Sequence, residues 1–249
     1  DSNFKKVIKS KKAYRIKDEK YIDDRLKVIE GIVSVNDIKV KAKEFDLTIT
    51  EYLTSVLIKS IGGLKSKSKK PIVITIPVNL RKYYPTYTVR NFFSVVNIDY
   101  SYNIDSFKDI TKSVKKSFKE KLAKENIKDK MNSMIKLEDI FIVRLIPVFI
   151  KDLVLKIACN IENKYQTMTL SNIGIINMPD IYKKYIDYFS VFTSTSKIQM
   201  CMCSYDDKMV ISFSSKFVNS EIEKNFFKFL SKVGIDVIIN TNDYGDYDE

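Results

Sequence analysis

The chain contains no histidine. Histidine is the one side chain whose ordinary charge change falls near neutral pH, so its absence removes the commonest general base and every Ser-His or Cys-His nucleophile. It also strips zinc of its usual nitrogen ligand. The three cysteines, Cys159, Cys201 and Cys203, contain no C-x-x-C pair to compensate, so no metal site is expected. An odd, unpatterned set of three thiols is no disulfide framework; it suits reduced cysteines in the cytoplasm. Six glycines supply neither G-x-G-x-x-G nor a P-loop, which leaves a dinucleotide or nucleoside triphosphate site without support. Tryptophan is absent and arginine scarce, with 38 Lys and only 5 Arg behind a net charge of +12. Arginine is the preferred bidentate reader of phosphate and guanine, so this charge points to compositional bias and no nucleic-acid partner is expected. An uninterrupted long apolar run is missing too. Residues 140–159 come nearest, but Arg144, Lys151, Asp152 and Lys156 break them, each costing about 2.5–3.5 kcal/mol at a bilayer centre. Pro147 suits the first turn of a helix, so this stretch reads as two buried helices meeting there, with peripheral membrane contact the lesser reading. The start of the chain carries no secretion-signal pattern, and a first residue of Asp1 suits a piece of a longer polypeptide.

What is present is enough apolar sequence, 45% of 249 residues, for one large domain or two small ones. Residues 1–35 read as a basic segment followed by a strand near 25–35. Asn36 or Asp37 can cap a helix running to about Phe45. Thr48-Ile49-Thr50-Glu51 is a capping box that opens a helix expected to stop at Gly62-Gly63. Ile72–Ile76 is apolar throughout, as in a strand buried on both faces, and 92–100 is a second β-rich run across a tyrosine-rich loop. Phe107, Ile110, Val114, Phe118 and Leu122 recur at helical spacing. Gln166–Ile173 and Phe189–Phe192 read as strands. Lys197–Tyr205 and Lys208–Phe217 form a hairpin about Asp206-Asp207. A helix from about Ser220 ends at Gly234, and residues 243–249 read as an acidic, disordered tail. The order mixes α and β without regular βαβ alternation. It predicts an α+β domain over 36–242, a mixed β-sheet flanked by helices.

Several pieces of that order carry a resemblance. They are the capped helix T-x-x-E-Y-L, the strand ending Pro77-Val78-Asn79-Leu80-Arg81, the Asn91-Phe92-Phe93-Ser94 strand and the Thr169-Leu170-Ser171-Asn172-Ile173-Gly174 strand. The K-I-Q-M-C-M-C hairpin and a final F-F-x-F-L helix complete the series. Across roughly residues 36–240 it resembles the C-terminal half of CoA-dependent acyltransferases of the chloramphenicol acetyltransferase and condensation-domain superfamily, nearest their alcohol-acetyltransferase-like branch. The resemblance implies a half-fold that meets an N-terminal half across a tunnel. It implies a CoA or carrier thioester as acyl donor, an alcohol or amine as acceptor, and no tightly bound cofactor. It also implies a catalytic histidine, in H-H-x-x-x-D-G, on that other half. Arg90 stands where condensation domains carry a glycine.

With the base elsewhere, this half can offer donors to a developing oxyanion. Ser171, Asn172 and Asn91 are the right kinds of group; they equally suit the capping of backbone at strand ends. Arg81 can meet an anionic substrate or an internal carboxylate, and Phe92 and Phe93 an acyl chain or the core. Three readings therefore compete: half of an acyltransferase that is inactive alone, a binding or scaffold module on the same fold, and a basic protein of membrane surfaces.

Overall fold

A computed structural model describes residues 12–243 except 65–67, 88, 90, 104, 139–146 and 195. Arg90, Arg144, the basic stretch before Lys12 and the tail beyond Asp243 lie outside the described residues.

A seven-stranded mixed sheet organises the chain. Its strands are β1 (Lys27–Ser34), β2 (Ile72–Asn79), β3 (Phe93–Tyr100), β4 (Met168–Ile175), β5 (Gln199–Tyr205), β6 (Lys208–Ser215) and β7 (Ile238–Thr241), in spatial order β3-β2-β4-β5-β6-β1-β7. β2, β4 and β5 run parallel; every other neighbouring pair is antiparallel. The helices are α1 (Val35–Glu44), α2 (Ile49–Leu64), α3 (Phe107–Lys121), α4 (Lys124–Glu138), α5 (Val148–Glu162), α6 (Asp180–Lys183) and α7 (Glu221–Lys232). This is the expected α+β class, and residues 27–34 are integral to the same sheet.

Alternation along each strand sends one set of side chains to a helix-covered face. Ile72, Ile74 and Ile76 of β2, Met200 and Met202 of β5 and Met209, Ile211 and Phe213 of β6 pack there in one core with Leu53, Leu57 and Ile61 of α2 and Phe226 and Leu230 of α7. Phe213 meets Phe226 and Phe227 edge to face at 5.1 and 5.6 Å. Two glycines permit this closeness. A Cβ on Gly31 would fall 2.1 Å from the Phe227 ring, and one on Gly62 2.3 Å from the Tyr102 ring. Gly62 therefore serves a contact, and α2 continues to Leu64 where the sequence predicts a stop at Gly62-Gly63.

Caps follow local chemistry with one long-range addition. Thr48 and Glu51 form the capping box, Thr48 N–H to Glu51 Oε2 at 2.7 Å and Glu51 N–H to Thr48 Oγ1 at 3.3 Å. Helix α1 starts earlier than Asn36 because Ser34 caps it, accepting from Asp37 N–H at 3.2 Å. Asp207, in the β5–β6 turn, adds a carboxylate that accepts from Asn36 N–H and Ser34 Oγ–H.

Three expectations are corrected. Helix α5 does start at Val148 behind Pro147, but it is not buried: Val154, Leu155 and Ile157 are 55, 59 and 52% exposed, because no described part of the chain is laid over them. Phe189–Phe192 is not a strand. It belongs to an extended strap whose carbonyls are taken by side chains of the sheet, with no ladder. Asp243, placed by its sequence in the acidic tail, accepts a hydrogen bond from Tyr21 Oη at 2.7 Å. Among the described residues no helix is long and apolar enough to cross a membrane.

Candidate functional site

The parallel strands β2, β4 and β5 end at one edge of the sheet, the location at which open α/β sheets bind ligands. There the sheet forks. β2 and β4 pair only at Ile74–Met168 and Thr75–Thr169. Beyond that point β2 follows β3 to Asn79–Phe93, while β4 follows β5 to Ile175–Ser204. The sequence-predicted residues divide between the two prongs.

Arg81, Asn91, Phe92 and Phe93 belong to the β2–β3 prong. Asn79 Oδ1 accepts from Arg81 N–H at 3.0 Å and opens a 3-10 turn over Leu80–Lys82, and Leu80 N–H donates to Phe92 O at 3.2 Å. These contacts draw Arg81 beside Phe92. Asn91 is exposed and Phe92 half-buried. Phe93, paired with Asn79, is exposed on the face away from the helices.

Ser171 and Asn172 belong to the β4 prong and, as strand neighbours, face opposite ways. Asn172 turns to the helix side. Its Nδ2 donates to Thr50 Oγ1 in the first turn of α2 at 2.9 Å, and its Oδ1 accepts from Gly174 N–H at 2.8 Å across a bulge at φ +88°. Both ends of that amide are thus engaged in bracing the strand. Ser171 is half-buried on the other face, opposite Cys201, on the same side of the sheet as Phe93. One ligand cannot use the Ser171 and Asn172 side chains together.

That second face is polar. Thr75, Cys201, Cys203, Ser212 and Ser214 are buried on it. Over β5, β6 and β1 it is covered by the strap. Cys203 Sγ–H donates to Phe189 O at 3.1 Å, Ser214 Oγ–H to Thr193 O at 2.6 Å, and the Ser190 and Ser212 hydroxyls both donate to Glu30. Burial pushes the thiols of Cys201 and Cys203 up, which disfavours the nucleophilic thiolate. All three cysteines are free. Among the described residues no group of three or more His, Cys, Asp or Glu can hold a metal ion.

Two groups whose protonation burial perturbs lie away from the fork, and sequence reasoning passed over them. Lys197 is brought down to about 8 by burial, with Arg15 repulsion second. It sits where β5 begins, the opposite end of the sheet, donating to Asn163 O and Gln166 O at 2.7 and 2.5 Å. Glu223, in the first turn of α7, is 1% exposed, and burial pushes its carboxyl up. Helical spacing offered a signal for it: Glu223 shares a face with Phe227 and Leu230. Nothing in the sequence marks Lys197.

No protein-family model matches the sequence, and no curated protein is significantly similar to it. Solved structures do match. A nonribosomal peptide synthetase, FmoA3, superposes with a TM-score of 0.56 at 11% identity, over 90% of this chain and 23% of that one. The epimerization domain from the third module of tyrocidine synthetase B gives 0.53 at 12% identity, over 90% and 51%. Polyketide synthase associated protein 5 from Mycobacterium tuberculosis gives 0.50 at 9% identity, over 83% and 52%. The chain thus spans about a quarter to a half of the length of each of these. At such identities the likeness is one of architecture: the chain shares the mixed-sheet fold of these peptide-synthetase and polyketide-associated structures.

Proposed function

We propose that this chain is the C-terminal half of an acyltransferase, forming one wall of a channel in which an acyl group passes from a CoA or carrier thioester to an alcohol or amine. The general base is a histidine on a partnering N-terminal half. The observation that carries this reading is helix α5. Its apolar side chains stand in solvent, and a soluble monomer rarely leaves a contiguous apolar surface of more than a few hundred Å² uncovered. A second half of the same fold supplies the cover and the base together. A positioned base contributes about 10²–10⁴-fold to such a transfer, so the isolated chain is inactive.

In this reading Ser171 and Phe93, on the same face at the fork, border the channel, with Asn91, Phe92 and Arg81 on the neighbouring prong. Ser171 and Asn91 are candidate donors to the oxyanion. Asn172 acts indirectly, by holding the β4 bulge against α2. The test is complementation. The purified chain, given acetyl-CoA and simple alcohols or amines, should release no CoA thiol above blank. Adding a separately expressed N-terminal half bearing H-H-x-x-x-D-G should give a complex and turnover. Turnover by the chain alone would remove the basis for placing the base elsewhere. A complex without turnover would favour the binding-module reading.

A further inference from the structure

On the helix side of the sheet, far from any expected acyl chemistry, a hollow of about 230 Å³ lies beneath an extended strap formed by residues 13–21. The strap is pinned at both ends. Tyr14 N–H donates to Pro71 O at 2.7 Å and Tyr14 O accepts from Thr167 Oγ1; further on, Val218 N–H donates to Glu19 O at 2.9 Å and Tyr21 N–H to Lys216 O at 3.1 Å. Ile61 and Leu64 of α2, Ile198 and Phe217 make its walls apolar. Ile16 and Asp18 of the strap close one side, and Asp18 is exposed at the rim.

Lys17, Asp18 and Asn219 add exposed polar groups to the lining and Glu221 a half-buried one, but the charged side chain buried in it is Glu223. Glu223 reaches it, 1% exposed; neither carboxylate oxygen has a hydrogen-bond partner on another residue, and among hydrogen-bond donors only its own backbone N–H lies near enough to favour the ionised form. A buried ionised carboxylate without a partner is costly, so such a group is protonated or meets a cation. The nearest internal cation is Lys27, 2% exposed, whose charge favours the ionised form of Glu223. It cannot serve as a contact partner. Its Nζ donates to Val218 O, Asn219 O and Ser220 Oγ at 2.7, 3.2 and 2.6 Å, which uses all three of its donors. What remains is an acidic end facing apolar walls in a basic protein. The space far exceeds the roughly 30 Å³ that one water takes up in the liquid.

We propose that this hollow is a binding site for a small aliphatic primary ammonium, its N–H groups donating to Glu223 and its chain lying against Ile61, Ile198 and Phe217. A protonated primary amine matches the site in three respects: it has donors and no acceptor, one positive charge opposite one carboxylate, and a tail that needs no polar partner. Asp18 at the rim attracts a cation arriving from solvent, and the neighbouring Lys17 opposes it, so the buried carboxylate of Glu223 carries the selectivity. Tyr14, Ile16 and Asp18 of the strap line the hollow, so binding and the order of residues 13–21 are coupled. This inference stands apart from the acyl-transfer reading and survives its failure.

The experiment is a calorimetric titration of the protein with n-butylamine near pH 7.5, with n-butanol as the uncharged probe of matching length. For so small a ligand an affinity between about 10 μM and 10 mM is within reach. The expected result is saturable one-to-one binding of the amine, with the alcohol at least about tenfold weaker, a gap of about 1.4 kcal/mol. Glu223→Gln keeps the volume and removes the charge, and should lower the amine's affinity by tenfold or more. Hydrogen exchange in residues 13–21 should slow when the amine is bound. No saturation by about 10 mM, equal binding of amine and alcohol, or unchanged amine binding by Glu223→Gln would each overturn the proposal. If Glu223→Gln fails to fold, the amine–alcohol comparison on the unaltered chain still decides it.

Discussion

The two faces of the sheet solve the same burial problem by different means. The helix-covered face is built from large side chains, Ile74, Met200, Met202, Ile211 and Phe213, that interlock with α2 and α7. The opposite face is built from small polar ones, Thr75, Cys201, Ser212 and Ser214, held by hydrogen bonds, partly across strands and partly to a strap. Apolar burial is worth about 25 cal/mol per Å² and grows with side-chain size, whereas a hydrogen bond nets about 0.5–1.5 kcal/mol. The first face therefore carries the stability. The second is left with small, polar groups held in place by hydrogen bonds.

The contrast breaks most sharply at Phe213. Phe213→Ala empties the aromatic cluster with Phe226 and Phe227 and should cost about 3–5 kcal/mol, read as a lowered denaturant midpoint at unchanged m. Gly31→Val forces a branched side chain into the Phe227 ring and should cost roughly 1–3 kcal/mol; a neutral outcome would show that helix and sheet are not tightly apposed there.

Glu223 is the exception on the packed side, and its substitution should run the other way. Glu223→Gln without ligand removes a buried charge that no other residue hydrogen-bonds and should raise stability at neutral pH by roughly 1–3 kcal/mol. The pH dependence has a definite sign. Burial raises the folded-state pKa of Glu223 above its usual 4.5, against the opposing pull of its own backbone N–H and of Lys27 and with Asp18 adding to the rise. Between 4.5 and that raised value the native state holds the extra proton, so this group's contribution makes stability fall as pH increases through the window and level off above it. Denaturation curves across that range should show the fall in the unaltered chain and lose it in Glu223→Gln. A fall of equal size in both would assign it to another group.

On the polar face the effects are smaller. Ser214→Ala leaves Thr193 O without its hydroxyl donor and should cost about 1 kcal/mol. Loss of several kcal/mol would mean that the strap carries the fold as much as the helices do. Smallest of all is Leu155→Ser on the uncovered α5, which should change stability by less than about 0.5 kcal/mol while weakening association with an N-terminal half in a pull-down.

Much of this architecture was legible because its causes are local. Thr48 and Glu51 satisfy each other three residues apart; Ile110, Val114 and Phe118 recur with the helix; Tyr205 and Lys208 flank a two-residue turn. The misread pieces had distant causes. Gly62 looked like a stop because the Tyr102 ring that requires it lies 40 residues on. The strap at Phe189 looked like a strand because extended backbone reads the same whether its carbonyls meet a ladder or the side chains of Cys203 and Ser214. At the fork, the pairing of Asn79 with Phe93 draws Arg81 and Phe92 together, while neighbours on β4, Ser171 and Asn172, serve opposite faces of the sheet.

By itself the sequence determined the α+β class, the major strands and helices, the exclusion of histidine chemistry from this chain and an order of motifs that resembles one superfamily. All of these rest on residue identity and short-range periodicity. Tertiary structure alone decided the order of the strands, the fork between β2 and β4, the exposure of α5 and the meeting of Glu223 and the N-terminal strap around one hollow. Each of these depends on which surfaces remain after the core has closed, and burial is a property of the whole packed chain that no stretch of residues carries alone.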